Sequence, residues 1–279
     1  MQQIQTWIEN YNTGETRKSA LTSLNSLQNY LKNHNIMESD WVNSMQGDNK
    51  YLVLNEYQKS LNLMPASVRK YYAFVKSYLR VIHGIKLDIE DQKQYIKFKP
   101  VASINREPLT KEIIKELVIN SNNYYKALWL VQSSSGMRIS ESLSLKKEDV
   151  DFSLNPVTIN IPAIETKTQK ERITFISKEA ASAIKNTDYF KERSLDTIES
   201  YFWKLRNKLN YTEKYSNSRN YKINIHSFRS YTRTQAGKIN QDFAETLLGH
   251  MGYLRQYVRL EKKDMINYYL KLEPKLKIL

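Results

Sequence analysis

Apolar residues recur at helical spacing from residue 1 to about residue 85, with polar residues between them. One helix face is marked by Leu21, Leu24, Leu27 and Leu31. A second helix is predicted to begin at Ser67, shortly after Pro65, and to end at Gly84. Its expected buried stripe is Val68, Tyr71, Val75, Tyr78 and Ile82. The pattern therefore predicts a helical N-terminal domain over residues 1–85.

Residues 86–104 lack a clear hydrophobic period and carry several lysines around Pro100. This pattern is typical of an extended basic linker. The next helix is expected to begin at Thr110, where Leu109 can pack against Ile114. We therefore place the domain boundary near residue 104 and assign residues 105–279 to a second domain.

The second domain combines helical and alternating patterns. Residues 123–134 are predicted to form a largely buried helix that Gly136 ends, and helical spacing resumes over 138–145. Alternating apolar residues predict a β-hairpin over 156–176, with its loop at 165–170. Three further features are expected: a helix marked by Ile198, Phe202, Leu205 and Leu209, a loop over 210–224, and a last helix over 262–272. The fold class is thus mainly α with a small β-hairpin (α+β), in two domains.

The end of the chain carries a proline and a short apolar tail. Pro274 is expected to break the chain direction after the last helix. The tail beyond it keeps Leu276, Ile278 and Leu279, which could dock on a neighbouring subunit or pack on their own domain.

The charge balance changes the functional picture. Lys and Arg total 43 against 29 Asp and Glu, a net charge of +14 with a pI near 9.5. A protein so basic usually binds a polyanion, and double-stranded DNA is the leading partner. The candidate DNA-binding residues are Arg69, Lys70, Lys76, Arg80, Lys93, Lys97 and Lys99. The four on the Ser67 helix fit a phosphate-contacting face and equally a solvated helix face.

Several classes of protein are excluded or disfavoured by composition. The chain has no cysteine, which excludes disulfides, thiol catalysis and cysteine zinc sites and fits a reducing cytosol. The N-terminus lacks the basic and apolar regions of a signal peptide. No apolar run approaches the roughly 20 residues that span a bilayer. We therefore expect a cytoplasmic location and no membrane partner.

Two distant segments carry the candidate chemistry. Arg138 and Glu141 lie three residues apart on a predicted helix, and so do His226 and Arg229 on another. Alone, the first pair is typical of a surface ion pair, and histidines flanked by apolar residues are typical of a packed core. Together with His250, which ends Leu248-Gly249-His250, they can converge on one phosphate. That inventory suits phosphoryl transfer on nucleic acid by a tyrosine without a metal or other cofactor.

These motifs, in this order, resemble the tyrosine recombinases, the integrase family of site-specific DNA recombinases, over residues 105 to about 270. Residues 136–143 resemble the family's first box, and the hairpin-loop Lys167 matches its catalytic lysine. His226-Ser227-Phe228-Arg229 matches the His-x-x-Arg box, and Leu248-Gly249-His250 matches the Leu-Gly-His box. The N-terminal half is similar only in general character, as a helical DNA-clamping domain on a basic linker.

The resemblance implies a role for each matched residue. Arg138 and Arg229 would bind the non-bridging oxygens of the scissile phosphate, with Glu141 orienting Arg138. The leaving 5′ oxygen would receive a proton from Lys167, or alternatively from Lys170. His226 would take the proton of the tyrosine, and His250 would donate a hydrogen bond to the phosphate. The product would be a 3′-phosphotyrosine linkage.

The nucleophile departs from the family's usual spacing. The position nine residues after His250 is Arg259, not a tyrosine. Tyr257 is favoured, because residues 256–259 resemble the nucleophile segment after a two-residue shortening. Tyr253, Tyr268 and Tyr269 remain alternatives. The last two also fit the apolar face of the final helix.

The resemblance implies strand exchange through a four-way junction, by a tetramer assembled on two DNA sites from chains that are monomeric when free. An integrase of archaeal or viral type, serving viral genome integration or a mobile element, fits this pattern. Three rival functions remain: a type IB topoisomerase-like enzyme, a non-catalytic DNA-binding protein on the same fold, and a carboxylate–metal transposase or nuclease.

Overall fold

The computed structural model describes residues 2–101, 109–166, 170–216, 218, 220–249 and 260–279. The chain divides into two compact units, Met1–Ser103 and Ile104–Leu279. Helices dominate both, and one small antiparallel sheet lies in the second, which confirms the predicted fold class. None of the helices in the described ranges is long and apolar enough to cross a membrane.

Unit 1 consists of helices around an aromatic-rich core. Among its described residues the helices are α1 (Gln2–Glu9), α2 (Gly14–Asn33), α3 (Glu38–Asn43), α4 (Asn49–Ser60), α5 (Pro65–Ile82) and α6 (Ile89–Tyr95). Thr13 caps α2 by accepting a hydrogen bond from the Thr16 N–H. The fixed φ of Pro65 suits the first turn of α5. Trp7, Tyr51, Tyr57 and Tyr78 are almost fully buried between these helices.

Two predictions for unit 1 are wrong in detail. The stripe of α5 is rotated, because Tyr72 and Leu79 are buried while Tyr71 and Ile82 are only half-buried. The segment predicted as an extended linker contains α6, whose first N–H groups donate to the Asp88 carboxylate. Ile96, just after α6, packs into the unit 1 core. The local cap and this tertiary packing explain a helix that the weak periodicity did not reveal.

Unit 2 has eight α-helices and three strands among its described residues. Its helices are α7 (Lys111–Ile119), α8 (Asn123–Ser135), α9 (Ile139–Leu143), α10 (Lys178–Lys185), α11 (Leu195–Lys208), α12 (His226–Gly237), α13 (Gln241–Leu248) and α14 (Lys262–Leu276). The strands are β1 (Val150–Asp151), β2 (Val157–Ile161) and β3 (Arg172–Ile176), in the order β1-β2-β3. The predicted hairpin is β2–β3, with Ile161 opposite Arg172 at its loop end, and β1 extends the sheet.

Helix α8 is the centre of unit 2, and its last turn is where other elements converge. The final carbonyls of a helix lack partners within the helix. Here Thr232 of α12 donates to the Ser133 carbonyl, Tyr269 of α14 to that of Ser134, and Thr174 of β3 to that of Ser135. These hydrogen bonds fix α12, α14 and β3 around one buried helix end.

Helix α14 corrects the expectation for the C-terminus. Pro274 lies inside the helix rather than after it. It is close to the end of α14, so the missing proline N–H costs only one hydrogen bond near the terminus. Beyond it, the N–H groups of Ile278 and Leu279 donate to the Glu179 carboxylate at 2.9 and 2.6 Å. Of the two possibilities for the tail, it therefore packs on its own unit.

Candidate active site

The first arginine of the site is placed by a glycine. Gly136 ends α8 with φ of +64°, a left-handed conformation that glycine adopts without steric cost. A Cβ at this position would also press on Leu248 and Thr232 at 3.3 Å. Arg138, two residues later, is the N-cap residue of α9. The Arg138 N–H donates to the Glu141 carboxylate at 2.7 Å.

Glu141 is a fully buried carboxylate that binds two guanidinium groups. Arg138 Nη1 donates to Oε1 at 2.8 Å, and Arg172 Nη2 donates to Oε2 at 2.7 Å. The Arg138 side chain stays 27 % exposed, whereas that of Arg172 is 6 % exposed. Burial alone would raise the pKa of Glu141, but the charge of Arg172 and the hydrogen bonds from Arg138 and Arg172 lower it below its ordinary value. The carboxylate is thus ionised and held in one position.

The second predicted arginine, Arg229, is 3 % exposed on the inner face of α12. Its Nη1 donates to the Gly136 carbonyl at 2.5 Å and its Nη2 to the Leu248 carbonyl at 2.6 Å. Burial, followed by repulsion from Arg138 and Arg172, lowers the pKa of Arg229 to about 9. It is therefore still charged at neutral pH, in surroundings that favour an added anion.

Arg138, His226 and Arg229 line one cavity of about 600 Å³. His226 is the first residue of α12 and is exposed. Phe228 stacks on Trp129 of α8 with ring centroids 5.2 Å apart, which sets the rotation of α12. The structure thus brings together three of the six predicted catalytic residues, with Glu141 behind them.

The remaining predicted catalytic residues, Lys167, His250 and Tyr257, lie outside the described residues, as does the alternative Tyr253. Lys170 is exposed near the start of β3, and the Thr166 hydroxyl hydrogen-bonds to both its N–H and its carbonyl.

Two alternative nucleophiles lie in α14. Tyr269 is fully buried, with its hydroxyl bound to the Ser134 carbonyl, and burial raises its pKa well above 10.0. Tyr268 is half-buried beside Phe243. Both pack along α14 as their helical spacing suggested, and Tyr269 lacks the exposure that a nucleophile requires.

Arg172 is the residue of this cluster that sequence reasoning missed. It opens β3 and contacts Glu141 from a position 31 residues away in sequence. Only its location in the predicted hairpin, close to the loop that carries Lys167, was a signal. A charged residue at the end of a short strand is usually exposed, so its burial depends on α9 and α13.

The predicted DNA-binding residues of unit 1 are mostly exposed. Arg69, Lys76, Lys93 and Lys97 line one groove of about 580 Å³ between α5 and α6. Arg69 also packs over the Phe98 ring and donates to the Lys99 carbonyl. Lys70 and Arg80 are exposed on α5 but do not line this groove. The structure therefore groups four of the seven predicted residues.

Comparison with solved structures identifies proteins of similar fold. A lambda integrase fragment (residues 75–356), solved as a dimer bound to a COC′ core site, is 12 % identical, with a TM-score of 0.64, 92 % of this chain covered and 98 % of that chain. The XerH site-specific recombinase in a pre-cleavage complex with difH is 16 % identical, with a TM-score of 0.59 and coverages of 94 % and 79 %. The Tn1549 transposon integrase bound to a circular intermediate DNA is 15 % identical, with a TM-score of 0.55 and coverages of 79 % and 84 %.

A comparison with curated proteins gave no match. The model of the phage integrase family matches residues 107–263, which is more than half of the chain and contains all the motifs described above. The predicted resemblance to the integrase family is thereby confirmed. The chain belongs to the phage integrase family.

Proposed function

We propose that this protein is a tyrosine site-specific DNA recombinase that cleaves and rejoins DNA through a 3′-phosphotyrosine intermediate. The observation that carries the proposal is the cluster of Arg138, Arg172 and Arg229 around the buried carboxylate of Glu141. Within this cluster three guanidinium groups face one carboxylate, and this excess of positive charge lies beside a cavity that His226, Arg206 and Glu199 also line. Such an excess is stabilised by an anion such as a phosphodiester, and it stabilises further charge in a transition state.

The cleavage step follows from these groups together with residues matched by sequence. The Tyr257 oxygen attacks phosphorus and forms a phosphodiester with the 3′ side, while the bond from phosphorus to the 5′ oxygen breaks. His226 accepts the tyrosine proton, and Lys167 supplies a proton to the 5′ oxygen. Arg138 and Arg229 bind the non-bridging oxygens, and His250 donates a further hydrogen bond. Rejoining is the reverse step, with the 5′ hydroxyl of another strand as the attacking group.

Both units contribute to the proposed DNA complex. Unit 1 would supply phosphate contacts from its groove residues and from Lys70, Arg80 and Lys99, and unit 2 would supply the chemistry. Most of the affinity would then come from charge and fall steeply with salt. The proteins of similar fold are bound to DNA in their structures, and the lambda integrase fragment is a dimer there. For this chain we propose a tetramer on two DNA sites, with exchange through a four-way junction.

The test uses a nicked DNA substrate that traps the covalent protein–DNA adduct. We expect the wild-type chain to form the adduct and to do so equally in EDTA. Tyr257→Phe should abolish it, whereas the matched change Tyr268→Phe should leave it intact. An adduct from Tyr257→Phe would show that the nucleophile is another tyrosine.

Two further results would contradict the function itself. Absence of an adduct from the wild type on every substrate would overturn covalent catalysis, and a strict metal requirement would favour a carboxylate–metal enzyme. Relaxation of a supercoiled plasmid that lacks any recombination site, without strand exchange between partners, would favour a topoisomerase.

A further inference from the structure

Arg172 connects three elements of unit 2 from the first position of β3. Its Nη2 donates to Glu141 of α9 at 2.7 Å, and its Nη1 donates to the Leu247 carbonyl in α13 at 2.6 Å. Its side chain is 6 % exposed, so it has little contact with solvent. It therefore acts inside the protein, behind the arginines that face the cavity.

On its α9 side, Arg172 completes the set of donors that fix the Glu141 carboxylate. Oε2 accepts from the Arg138 backbone N–H and from Arg172, both at 2.7 Å, and Oε1 accepts from the Arg138 side chain at 2.8 Å. Without Arg172, the carboxylate would be held only by Arg138 among these donors. Without Arg172, the Arg138 guanidinium and the Glu141 carboxylate could therefore rotate together as a pair. With Arg172 present, the carboxylate is attached to the sheet, and the direction of the Arg138 guanidinium is fixed.

On its α13 side, Arg172 shares the end of the helix with Arg229. Leu247 and Leu248 have successive carbonyls in the last turn of α13, where helical partners are missing. Arg172 binds the first and Arg229 the second. The position of Arg229 is therefore coupled to that of Arg172 through two consecutive backbone carbonyls.

Gly249, which ends α13, packs directly against the Arg172 stem. A Cβ on Gly249 would lie 2.6 Å from Arg172 Cδ and 2.9 Å from Nε. Gly249 also has φ of +69°, which disfavours other residues for a second reason. Gly249 thus lies against the side chain of Arg172, and little space remains for that side chain to move.

From this geometry we propose that Arg172 is a positioning residue for Arg138 and Arg229. It touches no substrate, and its effect is to hold both guanidinium groups where the charge of the phosphate develops. The inference rests on the proposed recombinase function and assigns to Arg172 a role in it. A lysine cannot replace it, because one ammonium group lacks the planar fork that reaches a carboxylate and a carbonyl at once.

The test compares two substrates that differ in charge at the scissile position. One carries the ordinary phosphodiester and the other a methylphosphonate, in which an uncharged methyl replaces one non-bridging oxygen. Arg172→Lys should slow single-turnover cleavage of the phosphodiester by about 10- to 100-fold, the usual effect of losing a supporting partner. On the methylphosphonate, which needs less positive charge, the difference from wild type should shrink to a few-fold. Arg138→Ala should show the same pattern.

The matched control is Arg233→Lys, an arginine on α12 that forms an exposed pair with Glu245 of α13. It should cleave both substrates like the wild type. Equal losses by Arg172→Lys on the two substrates would assign Arg172 a purely structural role and overturn the proposal, as would no loss on either. If Arg172→Lys does not fold, Arg172→Gln, whose amide keeps a hydrogen-bond donor for Glu141, is measured by the same comparison. Absence of a covalent adduct from the wild type would instead refute the recombinase function.

Discussion

The positive charges of the two units differ in how they are held. In unit 2, Arg172 and Arg229 are buried and bound to a carboxylate or to backbone carbonyls at 2.5–2.7 Å. In unit 1, the groove residues are mostly exposed, and Lys93 pairs with Glu90, which is itself exposed. Each buried guanidinium is held by two short hydrogen bonds, whereas the groove residues donate their hydrogen bonds at the surface of unit 1.

This difference corresponds to two electrostatic tasks. Exposed cations are screened by salt and contribute little individually, so they act by number and suit binding along a phosphate backbone. Buried cations lose hydration, but they act in surroundings of low dielectric without reorganising during a reaction. The comparison therefore predicts that unit 1 determines the affinity for DNA and that unit 2 determines the rate of DNA cleavage. Substitutions in each unit can break that division.

The largest expected effect is on stability and comes from the buried carboxylate. Glu141→Gln leaves Arg138 and Arg172 without their anionic partner and should cost about 3–5 kcal/mol of unfolding free energy. Urea unfolding at pH 7 measures it. Glu90→Gln, which removes the exposed partner of Lys93, is the control and should cost about 1 kcal/mol or less. If both variants lost the same unfolding free energy, the buried ion pairs would contribute no more to stability than an exposed one.

The same carboxylate predicts a pH dependence. The pKa of Glu141 is lower in the folded chain than its ordinary value of 4.5. Its stabilising contribution is therefore fully present above pH 4.5 and is lost as the pH falls through the folded pKa. Thermal unfolding is measured from pH 7 down to pH 3. The difference in unfolding temperature between the wild type and Glu141→Gln should shrink as the pH falls below 4.5. A constant difference would contradict the assignment.

The next effect is on rate. Arg138→Ala should slow covalent cleavage on the order of 10²–10³-fold, as expected for removal of one fixed donor to a developing charge. Its affinity for duplex DNA should change little, because Arg138 binds one phosphate among the many that the protein neutralises. Single-turnover cleavage and equilibrium binding separate the two quantities. A fall in affinity as large as the fall in rate would refute the division between the units.

The residues of the site differ in how far the sequence reveals them. Arg138 with Glu141 and His226 with Arg229 are local pairs at helical spacing, and Gly136 marks the turn between α8 and α9. Arg172 could not be predicted in the same way, since its partners Glu141 and Leu247 come from two other elements. A local pattern identifies residues that act in pairs on one helix. It does not identify a residue that connects a strand to two helices.

The fold shows the same limit. The buried helix over 123–134 and the hairpin strands agree with α8, β2 and β3, because their apolar patterns are strong. The helix α6 was missed because its cap at Asp88 is local but its packing is not. Pro274 was expected to break the chain direction after the last helix, yet α14 continues through it with Leu272 and Leu276 both buried. Packing of the apolar face outweighs the missing hydrogen bond.

A smaller effect is expected from the groove of unit 1. Replacing Arg69, Lys93 and Lys97 together by Gln should leave the cleavage rate at saturating DNA unchanged. Affinity should fall, and the slope of log affinity against log salt should become shallower by about 0.9 for each phosphate that is no longer neutralised. Binding measured across a salt series tests this. A slower cleavage rate at saturation would mean that unit 1 also contributes to the chemistry.

The smallest effect separates the groove from the rest of α5. Lys97 lines the groove, whereas Arg80, exposed in the last turn of α5, does not. If the groove follows the DNA backbone, Lys97→Gln should reduce the salt slope by about 1 and Arg80→Gln should leave it unchanged. Both variants remove one exposed positive charge from the same unit, so net charge alone predicts equal effects. Equal slopes would show that unit 1 binds DNA through its overall charge, and unequal slopes in the expected direction would place the bound phosphates between α5 and α6.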